Sequence, residues 1–366
     1  MKPINETDIE KAKVLLKQGI PKEKIAKALG ISEDACEIAA ARLRNEKLGK
    51  TSYNNLYMTL TDLRFATNEE VAKYRAERLK CGHIVEIGCG IGLQSIAFAK
   101  TCKKVTAIDI DERKVGYAGK NAAEAGVKNI EFMHGDALKL AKNIKKADIV
   151  FCETERDAEE EERKIENIRP DIKKVLETCG KLTKDICIEV PPQVKEIPFD
   201  CEKEYLSVGH ELNRLDLYFG KLQKADISAV ALPAGDRLEK KGEEELSPSP
   251  PLKYLYETDG AVKKAGLEPY IPAKGLFICG EYLTSEKKLE SPFFKAVFEI
   301  RRKCRGLKEI MSALKKEGCG KVILRIKISP DKYWEERKKY ESGLEGNETC
   351  HLFSAKNEML VCKKTP

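Results

Sequence analysis

The sequence predicts a mixed α/β protein: a doubly wound, largely parallel sheet of the Rossmann-like kind, with short helices before it and small α+β regions after it. Three observations predict this. Five apolar strand-like runs alternate with helix-like runs between residues 83 and 190, the pattern of a parallel sheet covered by helices on both faces. A glycine-rich loop, Gly88-Cys89-Gly90-Ile91-Gly92, joins the first of those strands to a helix. A charged and then Ser/Pro-rich stretch, residues 236–252, breaks the pattern before a second, shorter alternation begins.

Residues 7–48 read as three short helices. The first stops at Gly19, Pro21 opens the second, which stops at Gly30, and Ser32 caps the third with Glu33 and Asp34 in its first turn. Three helices with a glycine-containing turn are compatible with a helix-turn-helix and equally with a cap packed on a neighbour. Thr67 and Glu70 form a capping-box pattern ahead of the helix VAKYRAERLK. Strands are then expected at HIVEIG, KVTAIDI, IEFMHG, ADIVFCE and DICIEV, apolar enough for burial on both faces. The intervening helices are expected at LQSIAFAKTC, ERKVGYAGKNAAEAG, LKLAKNIKK and ENIRPDIKKVLETCG. EKEYLSV, RLDLYFG and ISAVALP follow with little helix between them and complete the sheet, some antiparallel. Beyond the break lies a Gly/Pro-punctuated region, 253–291. The segment 292–366 then reads as strand, helix, strand, helix and a closing hairpin.

Composition narrows the function classes. The chain carries a net charge of +7, and residues 293–366 alone hold 18 lysines and arginines against 10 acids, so the surplus sits in the last segment. A basic terminal module on a near-neutral body fits a polyanion partner, most often nucleic acid, or a lysine-rich solvated surface. No run approaches the roughly 18–20 apolar residues of a membrane span, and the first residues lack the apolar core of a signal peptide. Thirteen cysteines, an odd number without a CxxC pair, indicate buried thiols in a reducing, cytoplasmic compartment. The four histidines, His83, His134, His210 and His351, are scattered, and no metal is expected.

The site is read from strand ends, because ligands of open α/β sheets bind outside the carboxyl ends of the strands. Gly88, Gly90 and Gly92 allow a tight turn and close backbone approach at a helix N-terminus. A dinucleotide loop prefers GxGxxG, whose third glycine would be residue 93, here Leu. Asp109 ends the second strand, where a carboxylate can accept both hydroxyls of a ribose, and Ile110 can lie against an adenine face. Asp136, followed by Ala137, ends the third strand and can accept the exocyclic amine of adenine. Glu86 faces the same crevice from the first strand, and His134 can border the adenosine.

From Val85 to Asp136 the chain resembles the class I S-adenosylmethionine (SAM) methyltransferases. The segment LRFATNEEVAKYRAERL looks like the helix before the cofactor motif in one branch of them, and the helical N-terminus belongs to that likeness. The segments YLYETDGAVKKAGL and EYLTS look like that branch's small ferredoxin-like piece, and the tail from IRRKCRGLKEI onward like its C-terminal THUMP-like domain. The resemblance implies SAM as cofactor, held by Glu86, Gly88, Gly90, Gly92, Asp109, Ile110, Asp136 and Ala137. It also implies, by analogy, an RNA substrate. Bacterial members of the branch carry an Asp-Pro-Ala-Arg-Arg-like motif after strand four. Here the strand ends FCETERD, which leaves Glu153 and Glu155 as candidates to grip an acceptor amine and Arg156 to hold a phosphate. Cys152 has the place of a covalent nucleophile in carbon-5 pyrimidine methylation, or of a buried strand thiol. The run DAEEEERKIE reads as a solvated helix face, and Tyr53, Tyr57 and Tyr74 are candidates to stack a flipped base or to pack amphipathically.

The expected organisation is a helical N-terminal region, 1–50, then a methyltransferase core, 51–235. A linker, 236–252, a small ferredoxin-like region, 253–291, and a basic THUMP-like domain, 292–366, complete it. The expected function is methyl transfer from SAM to structured RNA, with transfer RNA the first candidate, in the cytoplasm and without a membrane partner. A non-catalytic RNA-binding protein that keeps the fold, and a methyltransferase for protein or a small molecule, are the alternatives.

Overall fold

The structure, a computed structural model, describes residues 4–155, 164–355 and 358–365. Its chain divides into two compact units, Met1–Leu206 with Arg214–Asp226, and Ser207–Asn213 with Ile227–Pro366.

The first unit opens with α1 (Glu6–Lys17), α2 (Lys22–Leu29) and α3 (Glu33–Leu48). Ser32 caps α3 by accepting from the Ala35 amide, and Gly30 ends α2 in the left-handed conformation. Apolar residues of all three helices, Ile9, Ile25 and Ile38 among them, share one buried cluster with Ile91 and Leu93 beside the glycine loop. The helical region is therefore a cap packed on the cofactor-loop side of the core. Next come α4 (Leu60–Phe65) and α5 (Glu69–Arg78). Asn68, and not Thr67, caps α5, its side chain accepting from the Glu70 amide. Both residue types cap well; the Thr67 hydroxyl is taken by Glu153 instead. A capping box unread in the sequence, Thr59 with Asp62, starts α4.

The sheet follows: β1 (His83–Ile87), α6 (Leu93–Thr101), β2 (Lys104–Asp109), α7 (Glu112–Glu124), β3 (Ile130–His134), α8 (Ala137–Leu140), β4 (Ile149–Cys152), α9 (Ile172–Cys179), β5 (Ile186–Val190), β6 (Glu202–Val208) and β7 (Glu211–Tyr218). Their order is β3-β2-β1-β4-β5-β7-β6, the first five parallel and β7 antiparallel to β5. The order reverses at β1, where the chain passes from one side of the sheet to the other. This is the topological switch point at which such sheets bind ligands. Strands β4 and β5 are buried along their whole length, as expected for a sheet covered on both faces. Two helices are shorter than expected. The one predicted from Glu166 begins only at Ile172, capped by Asp171, because Pro170 has no amide hydrogen and disfavours helix at the residue before it. The lysine-rich LKLAKNIKK gives one turn of α-helix and a 3₁₀ turn.

In the second unit β8 (Ile227–Leu232) and β9 (Asp236–Glu239) form an antiparallel hairpin, so the first residues of the expected linker are strand. Then come β10 (Tyr254–Thr258), α10 (Gly260–Ala265), β11 (Phe277–Cys279), β12 (Tyr282–Ser285), β13 (Phe294–Cys304), α11 (Leu307–Lys316), β14 (Cys319–Arg325), α12 (Tyr333–Glu341), β15 (Glu348–Ala355) and β16 (Glu358–Lys364). These strands make one sheet, β11-β12-β10-β13-β16-β15-β14. The regions expected as two small domains thus share a sheet. The 11-residue β13 joins them, pairing with β10 on one side and β16 on the other. Its two faces feed two apolar clusters: Leu314, Val322, Leu352 and Val361 under α11 and α12, and Phe298, Phe353 and Leu360 on the other face. Among the described residues no helix is long and apolar enough to cross a membrane.

Candidate active site

The glycine loop is held by the strand beside it. The amides of Gly88 and Cys89 both donate to the Ile108 carbonyl, at 2.8 and 3.1 Å. Gly88 has φ +79°, and a Cβ there would lie 2.6 Å from the Glu153 carbonyl oxygen. Any side chain would push β1 and β4 apart at their ends. Gly92 caps α6 at φ +84° with α7 against it, a Cβ falling 3.0 Å from that of Ala118. The loop amides and the α6 N-terminus thus open together at the switch point.

Asp109 ends β2 and is 6% exposed. Its two oxygens accept from the Gly90 amide at 2.7 Å and the Asp111 amide at 2.9 Å. It is thereby aimed at the loop, with lone pairs left for a ribose. Ile110 beside it is 74% exposed, an isolated apolar face at the crevice. His134 contacts the Ile110 carbonyl at 3.1 Å, so it borders the same position. Asp136 caps α8, accepting from the Leu138 amide, and Ala137 is the first residue of that helix. Both are half-buried.

Glu86 lies fully buried under the loop. One carboxylate oxygen accepts from Ser95, and the other has no hydrogen-bond partner. Burial, with Glu153 and Asp109 adding like charge, pushes its carboxyl up to about 8 although the Ser95 bond opposes this. A buried carboxylate oxygen without a partner costs free energy, and a cation at the loop would satisfy it. The donor set therefore fits SAM: an orphan acid for its positive charge, a ribose acid, an apolar adenine face and a loop with room for the backbone to approach.

The acceptor side is built around Glu153, at the end of β4, whose amide donates to the Ile87 carbonyl at 2.9 Å. Thr67 donates to its carboxylate at 3.2 Å. Burial, reinforced by the neighbouring Glu189, pushes Glu153 up to about 7, against the pull of Arg75 and Arg214. Glu189, at the end of β5, is the opposite case. Burial would raise it, but Arg214 at 2.9 Å and Arg75 at 2.7 Å outweigh that and keep it ionised. Arg75 is itself fully buried and doubly bonded to Asp216. Lys50, whose ammonium donates to the Leu63 and Arg64 carbonyls, is brought down to about 8 by burial and by Arg214. One carboxyl near neutrality thus sits in a shell of fixed charges.

Glu155 is exposed and paired with Lys114 at 2.8 Å. Arg156 and residues 157–163 of the acidic run lie outside the described residues. Cys152 is fully buried in β4 with its thiol pushed far up by burial, which makes it a packing residue and not a nucleophile. Tyr74 donates to Glu204, Tyr57 packs on Tyr117, and Tyr53 accepts from Lys100. Lys50, Glu189 and Arg214 were not read from the sequence, and Thr67 was read only as a helix cap. Their one local signal is the Thr59–Asp62 capping box, which marks the segment that carries Thr67.

Comparison with known proteins bears on the same segment. Residues 84–180 match the family described as methyltransferase domain. The ubiquinone biosynthesis O-methyltransferase of Coxiella burnetii is 33% identical over 106 residues, 29% of this chain and 41% of that protein. The tRNA (uracil(54)-C(5))-methyltransferase of Saccharomyces cerevisiae is 31% identical over 100 residues, 27% of this chain and 16% of that protein. The chain thus spans less than half the length of these relatives. The crystal structure of a candidate methyltransferase from Porphyromonas gingivalis W83 superposes with a TM-score of 0.75 at 16% identity, covering 99% of this chain and 100% of that one. It shares the fold over its whole length. Residues 84–180 thus match a methyltransferase domain, for which SAM is the methyl donor.

Proposed function

We propose that the protein transfers a methyl group from SAM to a nitrogen of structured RNA, with transfer RNA the first candidate. The arrangement that carries this reading is Glu153 at the end of β4, beside Gly88 and bonded by Thr67, its carboxyl raised to about 7 by burial and by Glu189. Bound SAM supplies an electrophilic methyl group. Asp109 would accept from its ribose, Ile110 would lie on its adenine, and Glu86 would face its cationic end. Glu153 accepts a hydrogen bond from the acceptor amine and takes its proton as the new bond forms. Positioning and exclusion of water supply the rest.

RNA as substrate is supported by the basic surplus of residues 293–366 and by that segment's resemblance to THUMP-like domains. Arg301, Arg302 and Lys303 lie exposed in a row on β13, and Lys308, Lys315 and Lys316 lie exposed on α11. The test is incubation with SAM bearing a deuterated methyl group, with cellular RNA and cellular protein as parallel acceptors. Label in RNA, located by nucleoside mass spectrometry, is the expected result. Label in protein alone refutes the reading. RNA affinity is also expected to fall steeply with salt, by about 0.7–0.9 in log affinity per log salt for each phosphate contacted; a flat response contradicts RNA binding through this surface.

A further inference from the structure

Of the 13 cysteines, Cys81 alone is not buried. Its sulfur lies 3.8 Å from that of Cys102, and both are free thiols. The sheet sets this pair. Strands β1 and β2 are parallel, with His83 opposite Lys104. Their ladder continues backwards past both strand starts. The Lys104 amide donates to the Gly82 carbonyl at 2.9 Å, and the Lys103 amide reaches the Cys81 carbonyl at 3.4 Å. Two residues back from His83 and Lys104, Cys81 and Cys102 therefore stand opposite each other, with their side chains on one face. Neighbouring strands lie about 4.7–4.9 Å apart, inside the roughly 4.4–6.8 Å between Cα atoms that a disulfide spans. Closing the sulfurs to a bond of about 2.05 Å takes a turn of two side chains and no rearrangement of the backbone. Cys319 and Cys350 offer a contrast. They stand on the neighbouring strands β14 and β15, but both are completely enclosed.

We infer that Cys81 and Cys102 are a site of reversible disulfide formation, with a small-molecule disulfide such as oxidised glutathione as co-reactant. Cys81, on the partly exposed side of the pair, attacks one sulfur of the small disulfide as its thiolate. That S–S bond breaks and one small thiol leaves. The Cys102 thiolate then attacks the Cys81 sulfur of the mixed disulfide, the Cys81–Cys102 bond forms, and the second small thiol leaves. Two protein thiols lose two electrons in all, one small disulfide gains them, and the two protons end on the departing thiols. The new bond ties the chain just after α5 to the end of α6, at the amino ends of β1 and β2. The glycine loop and Glu153 lie at the carboxyl ends of the sheet, so the cross-link fastens the unit that carries the site without entering the site. The inference is independent of what the methyl acceptor is.

The test uses the full chain as wild type, Cys81→Ser and Cys102→Ala. Each is treated folded with oxidised glutathione, then unfolded, alkylated and mapped by mass spectrometry. Wild type is expected to show two fewer alkylated cysteines than the 13 of the reduced chain, with a Cys81–Cys102 peptide in the digest. The two residues are 21 positions apart, and closing a loop of that length should raise the apparent Tm by about 6–12 °C. Dithiothreitol should reverse the rise, and SAM affinity by calorimetry should not change. Cys102→Ala should stop at the mixed disulfide with glutathione on Cys81, and Cys81→Ser should keep all its thiols. A full set of free thiols in treated wild type, or glutathione held on Cys81 without the internal link, overturns the inference. So does a link between any other two cysteines, Cys319 and Cys350 included. A link that leaves the Tm unchanged, or that abolishes SAM binding, overturns the fastening role.

Discussion

Glu86→Gln exposes the cost of the cofactor site most clearly. In the folded protein Glu86 titrates at about 8, against an ordinary 4.5, because it is buried with like charges around it. A carboxyl raised by folding stabilises fully only below its unfolded value. That stability drains away as pH rises towards the folded value and stays lost above it. At pH 7 the folded chain holds a proton that the unfolded chain has released about 2.5 pH units earlier, which corresponds to about 3 kcal/mol. Glutamine keeps the shape and the bond to Ser95 without that penalty. Urea unfolding between pH 5 and 8 should therefore show the variant gaining on wild type as pH rises, by up to about 3 kcal/mol near pH 7. SAM affinity should fall in the same variant, because the orphan oxygen that meets the cation is gone. Both effects in one substitution mark a residue kept for binding at the expense of stability. Parallel pH curves for the two proteins, or unchanged SAM affinity, would refute the reasoning.

Two further outcomes follow from the same geometry. Asp109→Ala removes charged hydrogen bonds worth about 1.5–3 kcal/mol each; SAM affinity measured by calorimetry should drop at least about 100-fold, and normal binding would show that the ribose lies elsewhere. Arg75→Ala leaves Asp216 buried without its ion-pair partner and Glu189 with Arg214 alone; urea unfolding should show a loss of about 3–5 kcal/mol, and a loss below about 1 kcal/mol would mean that water or rearrangement replaces the pair.

What the sequence revealed of this site was local in the chain. Gly88, Gly90 and Gly92 sit within five residues, and Asp109 and Asp136 each close the next strand, so spacing and strand alternation place them together. Glu153 was visible as a strand end. Its chemistry was not, because that comes from Thr67, Lys50, Glu189 and Arg214, which the sheet gathers from distant parts of the chain; Thr67 lies 86 residues away. The same tertiary demand explains the misplaced cap of α5: Thr67 and Asn68 can both cap, and the bond of the Thr67 hydroxyl to Glu153 leaves the cap to the Asn68 carboxamide. The boundary inside the second unit was unreadable for a related reason. A strand's apolar pattern shows that one face of the first half of β13 is buried, while nothing in it says that it pairs on both sides and joins two regions. The start of α9 was legible in principle, since Pro170 and Asp171 are an ordinary helix-start signal.

The measurement that tests the central claim most directly is labelled methyl transfer from SAM to RNA by wild type and Glu153→Gln side by side, across pH, with SAM binding measured on both. The account predicts transfer by wild type that rises with pH to a plateau above about 7, as Glu153 loses its proton. It predicts a loss of about 10²–10⁴-fold in the glutamine variant, which still binds SAM. Equal transfer by both proteins, or none by a wild type that binds SAM, would contradict it.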